Sequence, residues 1–183
     1  MVGPAPIRLE LIRGFSLTCQ GMRVALPLSA QRLLAFTALQ RRPVPRAKVA
    51  TTLWQEGTEE RCGANLRSAL WRLRRPHCDL VEAVGTSLRL SSHVAVDVHE
   101  AEARARRLAG LGRYADAVEA AMAAVRGEPL RESAHRTLIG VHLAEGNRHR
   151  ALCQYHEYCQ LMRSELDLDP SPPITELVAD LMR

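Results

Sequence analysis

Apolar and polar residues alternate near the start of the chain. Every second residue from 7 to 11 is apolar and the residues between them are charged, as in a strand with one buried face. The alternation resumes over 15–26, with a turn signal at Gln20-Gly21, and Pro27 ends it. The pattern therefore predicts strands and a hairpin over residues 7–26.

Three stretches with helical spacing follow. The run over 30–40 is almost entirely apolar, which predicts a buried helix, and Ser29 before it is a preferred N-cap residue. A second helix is predicted over 45–57, with Trp54 on its apolar side, because proline favours a helix start and glycine ends helices. A third helix is predicted over 58–75, where a threonine N-cap precedes two glutamates.

Strand patterns return over residues 79–98. Alternating apolar positions flank a Gly85-Thr86-Ser87 tip, which predicts a β-hairpin, and the valines at 94–98 predict a further strand. The order of strands, three helices and hairpin is that of a winged helix-turn-helix with a sheet added in front. We therefore expect an α+β domain of the winged-helix type over residues 1–98.

The apolar spacing is helical throughout the remainder of the chain. Two turn signals, Gly112-Arg113-Tyr114 and Gly146-Asn147-Arg148, lie 34 residues apart, and Ala117 and Ala151 have the same separation. Helical hairpins that repeat with this period are typical of tetratricopeptide repeats. We therefore expect an all-α tetratricopeptide-like domain over residues 99–183.

Basic residues are concentrated in the first of these two regions. Residues 1–100 carry 14 Lys and Arg against 8 Asp and Glu, whereas residues 101–183 carry 11 against 12. A net positive charge favours a polyanionic partner such as nucleic acid. All but one of the 25 basic residues are arginines, which indicates a GC-rich genome and equally suits bidentate binding of phosphate and guanine. The distribution of charge therefore favours the first region as a DNA-binding domain.

The predicted third helix has an apolar face and an arginine-rich face. On a helical wheel Leu66, Leu70 and Leu73 share the side that faces the core. The opposite side and its borders carry Arg61, Asn65, Ser68, Trp71, Arg72 and Arg75. Arginine, asparagine and serine pair with guanine, adenine and phosphate. A solvated amphipathic helix is the alternative, but the place of this helix in a winged-helix order favours DNA binding.

Several strings in both regions carry a resemblance to a known family. In the first region they are LP at 26–27, QRLL at 31–34, LW at 53–54, NLRSALWRLRR at 65–75 and VDV at 96–98. In the second they are GRYADA at 112–117, EPLRESAH at 128–135, HLAEGN at 142–147 and DPSP at 169–172. The chain resembles the Streptomyces antibiotic regulatory protein (SARP) family, which has an OmpR-like winged helix and a bacterial transcriptional activation domain.

The resemblance implies a transcriptional activator that binds promoter direct repeats, contacts RNA polymerase and its sigma factor, and controls secondary-metabolite genes. It implies a third helix that enters the major groove with candidate readers Asn65, Arg67, Ser68, Trp71, Arg72 and Arg75. The implied phosphate clamps are Arg46 and Lys48, and the implied wing contacts are Thr86, Ser87 and Arg89. The implied polymerase contact is the turn formed by Gln55, Glu56, Gly57 and Thr58.

The chain departs from the family in the length of its second region. Asp97 and Gly112 are only 15 positions apart, whereas family members usually carry a longer segment between the wing and the Gly-Arg-Tyr turn. The resemblance therefore implies a shortened activation domain, and a homodimer is among the assemblies it implies. Gly63 inside the third helix is also unusual, because glycine costs about 1 kcal/mol relative to alanine there.

Other kinds of chemistry find little support. The sequence contains no G-x-x-x-x-G-K or G-x-G-x-x-G phosphate loop and no evident catalytic triad, so we expect neither an enzyme nor a cofactor. His149, Cys153 and His156 share one helical face with a spacing that could hold a metal. Because no C-x-x-C pair accompanies them, an ordinary helix is favoured over a metal site.

Cysteine usage and hydropathy indicate the compartment. The five cysteines are odd in number and are not spaced as a disulfide framework, which predicts reduced thiols. Residues 1–15 lack the pattern of a signal peptide, and no run of about 20 apolar residues occurs that could span a membrane. We therefore expect a cytoplasmic, nucleoid-associated protein.

A second hypothesis is a helical protein-interaction adaptor of the transcription machinery that does not bind DNA directly. Winged helices also bind proteins, and a fold does not determine its function. The two hypotheses differ at the third helix. A DNA reader leaves Arg61, Arg72 and Arg75 exposed, whereas an adaptor buries them against residues 100–183.

Overall fold

The computed structural model of the chain describes residues 7–40, 42–74 and 78–182. The chain divides into two compact units. The first comprises the residues up to Leu11 and Phe15–Val96, and the second comprises Ile12–Gly14 and Asp97–Arg183. None of the described helices is both long and apolar enough to cross a membrane.

The N-terminal alternation places one face of each strand in the core of the first unit. The strands of the first sheet are β1 (Ile7–Glu10), β2 (Ser16–Cys19), β3 (Met22–Arg23) and β7 (Val94–Val96). Their order is β3-β2-β1-β7, with β1 antiparallel to β2 and parallel to β7. Leu9 and Leu17 are partners across β1 and β2, and both are buried.

Three helices and a second sheet complete the first unit. The helices are α1 (Leu28–Leu39), α2 (Arg46–Leu53) and α3 (Glu59–Leu73). The second sheet contains β4 (Val44–Pro45), β5 (Val81–Val84) and β6 (Ser87–Leu90), in the order β4-β6-β5. On α3, Leu66 and Leu73 are buried and Leu70 is half-buried, so this side of the helix packs on the core.

The start of α1 differs from the prediction. Pro27 is the N-cap residue, with an extended backbone (φ −61°, ψ 151°), so the helix begins directly after it and Ser29 lies in the first turn. The Ser29 hydroxyl accepts a hydrogen bond from Arg72 Nη1 (3.2 Å) and does not cap the helix. At α3 the expected cap is present, because Thr58 Oγ1 accepts from the Arg61 N–H at 3.4 Å.

The second unit is helical. Its elements are α4 (Asp97–Gly110), α5 (Tyr114–Gly127), α6 (Glu132–Ala144), α7 (Arg148–Leu166), α8 (Pro172–Val178) and a 3-10 turn (Ala179–Leu181). The α4–α5 and α6–α7 turns share one geometry. Gly112 and Gly146 have positive φ (72° and 81°), which glycine adopts without strain. After each, the N–H of Arg113 or Asn147 bonds the carbonyl five residues earlier (2.9 and 2.8 Å).

A carboxylate lies in the interior of this helical unit. Glu102 on α4 is 1% exposed. Its Oε1 accepts hydrogen bonds from Arg131 Nε (3.1 Å) and Ser133 Oγ (2.7 Å). A buried charge is tolerated when it is paired and hydrogen-bonded in this way. The network therefore links α4 to the start of α6.

A buried histidine links α6 to α7. His135 Nε2 donates to the Pro129 carbonyl (2.7 Å), and its Nδ1 accepts from Gln154 Nε2 (3.1 Å). The ring packs on Tyr158 with centroids 4.5 Å apart. Burial lowers the pKa of His135, and the two hydrogen bonds suit the neutral ring.

A short segment from near the start of the chain belongs to the helical unit. The Ile12 N–H donates to Asp97 Oδ2 at the beginning of α4 (3.0 Å). The segment also passes close to Gly127, the last residue of α5, where an added Cβ would lie 2.8 Å from Ile12 Cα. Any larger residue at position 127 would therefore displace the segment.

The expectation of reduced thiols is wrong for one pair of cysteines. Cys19 at the end of β2 and Cys78 beyond α3 form a disulfide, with their Cα atoms 6.8 Å apart. A separation of 59 residues does not indicate this pairing, since the strand and the end of the helix meet only in the folded unit. The thiols of Cys62, Cys153 and Cys159 are free.

Candidate nucleic-acid interface

Three arginines converge on an open cleft in the first unit. The cleft has a volume of about 370 Å³ and lies between α3, the start of α2 and the hairpin β5–β6. Arg46, Arg67 and Arg74 line it, together with Trp71. The spacing of positions 67, 71 and 74 places these side chains in one row along α3 and its C-terminal cap. We call this site the arginine cleft.

Strand pairing holds the start of α2 against the tip of the hairpin. β4 pairs antiparallel with β6, and Pro45 lies opposite Ser87. The next residue, Arg46, donates its backbone N–H to the Thr86 carbonyl at the tip (3.0 Å). Thr86 is exposed and Ser87 is half-buried. The structure therefore brings the candidate phosphate clamp Arg46 together with two of the candidate wing residues.

One carboxylate, Asp79, also lines the arginine cleft, but it forms no ion pair with the three arginines among the described residues. Within the described residues, no ion pair involves Arg46, Arg67 or Arg74, and all three are exposed. Trp71 beside them is 72% exposed. Unpaired guanidinium groups in a concave site attract anions and match phosphate geometry. The cleft is thus suited to a polyanion.

Arg74 is a cleft residue that sequence reasoning missed. On the helical wheel Arg74 flanks the apolar stripe as Arg67 does, but only Arg67 is among the candidate readers. The signal that could have found it is its position at i+7 from Arg67 and i+3 from Trp71, which places all three on one side of a helix.

The other exposed residues of α3 form a second row. Its members are Arg61, Asn65, Ser68 and Arg72, all exposed. Arg72 reaches α1, where Nη1 donates to Ser29 Oγ. Asn65 and Arg61 line a different cavity of about 580 Å³. The structure therefore does not bring this row into the arginine cleft.

The second cavity includes most of the candidate polymerase turn. Gln55, Glu56 and Gly57 line it, and Thr58 follows as the cap of α3. Trp54 also lines it and is half-buried rather than part of the core. Gln55, Glu56 and Thr58 are exposed, whereas Gly57 is half-buried.

Arg89 and Lys48 lie outside the arginine cleft. Arg89 Nη2 forms an ion pair with Glu82 Oε2 (2.7 Å) across the hairpin, so its charge is compensated. Hydrogen bonds from Ser91 and Arg89 hold the pKa of Glu82 below its ordinary value. Lys48 is exposed on α2 and does not line the cleft. The remaining candidate reader, Arg75, falls outside the described residues.

The candidate metal ligands of the second unit are only partly brought together. His149 Nε2 and Cys153 Sγ are 3.5 Å apart on α7. His156 is on the same helix, where its ring contacts that of Tyr155. No group of three or more His, Cys, Asp or Glu side chains placed to hold a metal occurs in the described part of the chain.

The fold is similar to that of a solved structure. The structure of EmbR from Mycobacterium tuberculosis, determined with a low-affinity phosphopeptide, matches with a TM-score of 0.51 at 18% sequence identity. The match covers 97% of this chain and 65% of the EmbR chain, so this chain spans just under two thirds of that protein. It agrees with the predicted class, a mixed α+β protein with N-terminal strands and a helical C-terminal region.

The chain belongs to the bacterial transcriptional activator domain family, whose model matches residues 44–182. This family is a class of transcription regulators and not of enzymes. No protein of curated function matches the sequence.

Proposed function

We propose that this chain is a DNA-binding transcriptional activator of the SARP type. In this proposal the first unit is an OmpR-like winged helix, with α3 as the reading helix and the hairpin β5–β6 as the wing. The second unit is a shortened, tetratricopeptide-like activation domain. The proposal rests on the arginine cleft, where Arg46, Arg67 and Arg74 line one cavity beside the hairpin and form no ion pair among the described residues.

The two rows on α3 have different roles in this proposal. Arg67, Trp71 and Arg74 lie next to the wing and hold the DNA backbone together with Arg46, because arginine pairs with phosphate whatever the base sequence. Asn65, Ser68 and Arg72 form the row that reads base edges. The DNA backbone receives four further contacts, from Lys48, Thr86, Ser87 and Arg89.

The transcription machinery is the second proposed partner. The turn Gln55–Thr58 contacts RNA polymerase and its sigma factor, and the adjoining cavity gives that contact a concave surface. Promoter direct repeats, control of secondary-metabolite genes and a homodimer are carried over from the family resemblance. A cytoplasmic location, which was expected from the sequence pattern, is part of the same proposal. Family membership supports the activator role.

The first test is selection of bound duplexes from a random DNA pool by the full chain. We expect enrichment of a sequence repeated in direct orientation. We also expect the affinity for that sequence to fall steeply with salt, because bound arginines release counterions from phosphate. A pool without enrichment and a flat salt dependence would exclude direct DNA binding and leave the adaptor hypothesis.

The second test asks whether Arg72 reads bases. Arg72→Ala should weaken binding to the selected duplex by about 1–3 kcal/mol if the side chain meets a guanine. Binding to a random duplex should then change much less. Equal losses on both duplexes would give Arg72 a phosphate role. Arg113→Ala is the matched control, since Arg113 is an exposed arginine of the other unit, paired with Asp116.

A further inference from the structure

The disulfide joins the first sheet to the chain that leaves α3. Cys19 is the last residue of β2, and Cys78 lies between α3 and β5. Both residues are buried, at 7% and 5% exposure. The bond closes a loop of 59 residues that contains all three helices of the first unit. It therefore restrains the position of α3 relative to the first sheet.

Cys78 is also a wall residue of the arginine cleft. It lines the same cavity as Arg67 and Arg74 of α3 and Arg46 of α2. A change in the covalent state of Cys78 is thus a change in the wall of the proposed DNA site. The three other cysteines do not line the cleft. Cys62 hydrogen-bonds to the Trp54 carbonyl, and the remaining two lie on α7.

We propose that Cys19 and Cys78 form a reversible redox site that sets the affinity of the arginine cleft for DNA. This inference rests on the proposed function of the cleft. Under the proposed cytoplasmic location a disulfide is typically transient and redox-sensing, and the bonded pair is then the oxidised state of the site.

The chemistry is thiol–disulfide exchange. A low-molecular-weight disulfide is attacked by the thiolate of one cysteine, and one of its sulfurs leaves as a thiolate. The second cysteine then attacks the mixed disulfide, forms the Cys19–Cys78 bond and expels the other small thiolate. The two protein thiols lose two electrons and two protons, and the small disulfide becomes two thiols. A dithiol reductant reverses the sequence.

The cleft is open to solvent beside Cys78. It is an open concavity of about 370 Å³ with Cys78 among its lining residues. The arginines around it attract anionic reagents, such as a small thiol or disulfide that carries carboxylates. DNA and the reagent would therefore compete for the same cations, so bound DNA should slow the exchange.

Preorganisation of the cleft determines whether oxidation raises or lowers its affinity for DNA. With the bond formed, the cleft wall is restrained before DNA arrives, and less ordering is needed on binding. Reduction removes this restraint and also the loop constraint on the unfolded chain. The oxidised form should therefore bind DNA more tightly and melt at a higher temperature than the reduced form.

The experiment compares oxidised and reduced wild-type protein, which needs no variant to fold. The full chain is treated with oxidised glutathione or with a dithiol, and a portion of each sample is then alkylated in denaturant and analysed by mass spectrometry to identify the free cysteines. Binding is measured by fluorescence anisotropy with a labelled duplex of random sequence. We expect Cys19 and Cys78 to be protected from alkylation only after oxidation, and the oxidised form to bind about fivefold more tightly.

The variants Cys19→Ser and Cys78→Ser should each abolish this difference, whereas Cys153→Ser should retain it. Circular dichroism checks that each variant is folded. Equal affinity of the two wild-type forms, or alkylation of both cysteines after oxidation, overturns the redox site alone. Absence of DNA binding in both forms overturns the proposed function and the redox site with it.

Discussion

In the first unit the arginines of the cleft lie at the surface without a carboxylate partner among the described residues, whereas in the helical unit Arg131 meets Glu102 in the interior. The same side chain is therefore used in two ways. An exposed arginine costs folding little and stays available to a ligand. A buried one must be paired, because an isolated charge in the interior is strongly destabilising. Under the proposed function, the exposed arginines of the cleft serve recognition of a partner, whereas the paired charge of Arg131 serves the stability of its own unit.

Removal of the buried carboxylate tests most directly whether the helical unit depends on its paired charge. Glu102→Ala removes the buried carboxylate that accepts from Arg131 and Ser133, and it should destabilise the helical unit by about 3–5 kcal/mol. Urea unfolding followed by circular dichroism measures the loss. Asp116→Ala is the control, because its pair with Arg113 is exposed and should contribute less than about 1 kcal/mol. Equal losses for the two variants would show that burial of the pair does not matter.

The exposed arginines should show the opposite behaviour. Arg67→Ala should leave the unfolding transition almost unchanged, because Arg67 has no ion pair among the described residues. It should weaken DNA binding by about 1–3 kcal/mol and lower the salt slope by about one unit if it contacts a phosphate. Anisotropy across a salt series measures both quantities. A large loss of stability with unchanged binding would assign Arg67 to the core and not to the interface.

A pH series tests the buried histidine of the helical unit. Because burial holds the pKa of His135 below 6.5, the unfolded chain takes up the proton first as the pH falls. The stabilising contribution is complete above pH 6.5 and is lost as the pH decreases towards the lower folded pKa. The thermal midpoint of the helical unit should therefore fall on acidification.

His135→Gln should reduce this dependence on pH. It should not abolish it, because burial also lowers the pKa of His142 on the same helix. His93→Gln is the control, since His93 is exposed in the first unit. An unchanged pH dependence in His135→Gln would contradict the assignment.

The smallest effect concerns one glycine in each unit. At Gly63 on α3 an added Cβ would lie 3.6 Å from Arg67 Nη1, an ordinary contact, so Gly63→Ala should stabilise the first unit by up to about 1 kcal/mol. Gly127→Ala should instead destabilise the helical unit, because its Cβ would lie 2.8 Å from Ile12 Cα. Thermal melts of the two variants measure the opposite signs. If Gly63→Ala gains stability but loses DNA affinity, the glycine serves close approach of the DNA backbone.

The local pattern of apolar residues located the helices and strands well. The third helix was predicted over 58–75 and is found at Glu59–Leu73. The hairpin turn predicted at Gln20-Gly21 lies between β2 and β3. These features depend on residues that are close in sequence, so periodicity and cap chemistry are sufficient to find them. The early start of α1 was missed because an extended Pro27 served as the cap in place of Ser29.

Two features of the structure depend on residues that are far apart in sequence. Arg46 reaches the arginine cleft only because β4, a strand of two residues, pairs with β6. Glu102 lies in a highly charged stretch that is typical of a solvated helix, and its burial depends on Arg131 near the start of α6. Strands β4 and β6 are far apart in sequence, and so are Glu102 and Arg131, so a local pattern cannot reveal either contact. The division of the chain at residue 98 remains a prediction.

The segment Ile12–Gly14 has a consequence for the order of synthesis. Its partners Asp97 and Gly127 leave the ribosome long after it does, so the helical unit cannot be completed from consecutive residues as they emerge. The segment cannot make its contacts with Asp97 and Gly127 until the intervening strands and helices have been synthesised. A fragment that begins at residue 99 would lack both this segment and its hydrogen-bond acceptor. The helical unit is therefore made last, but it is completed by a segment that was made near the beginning.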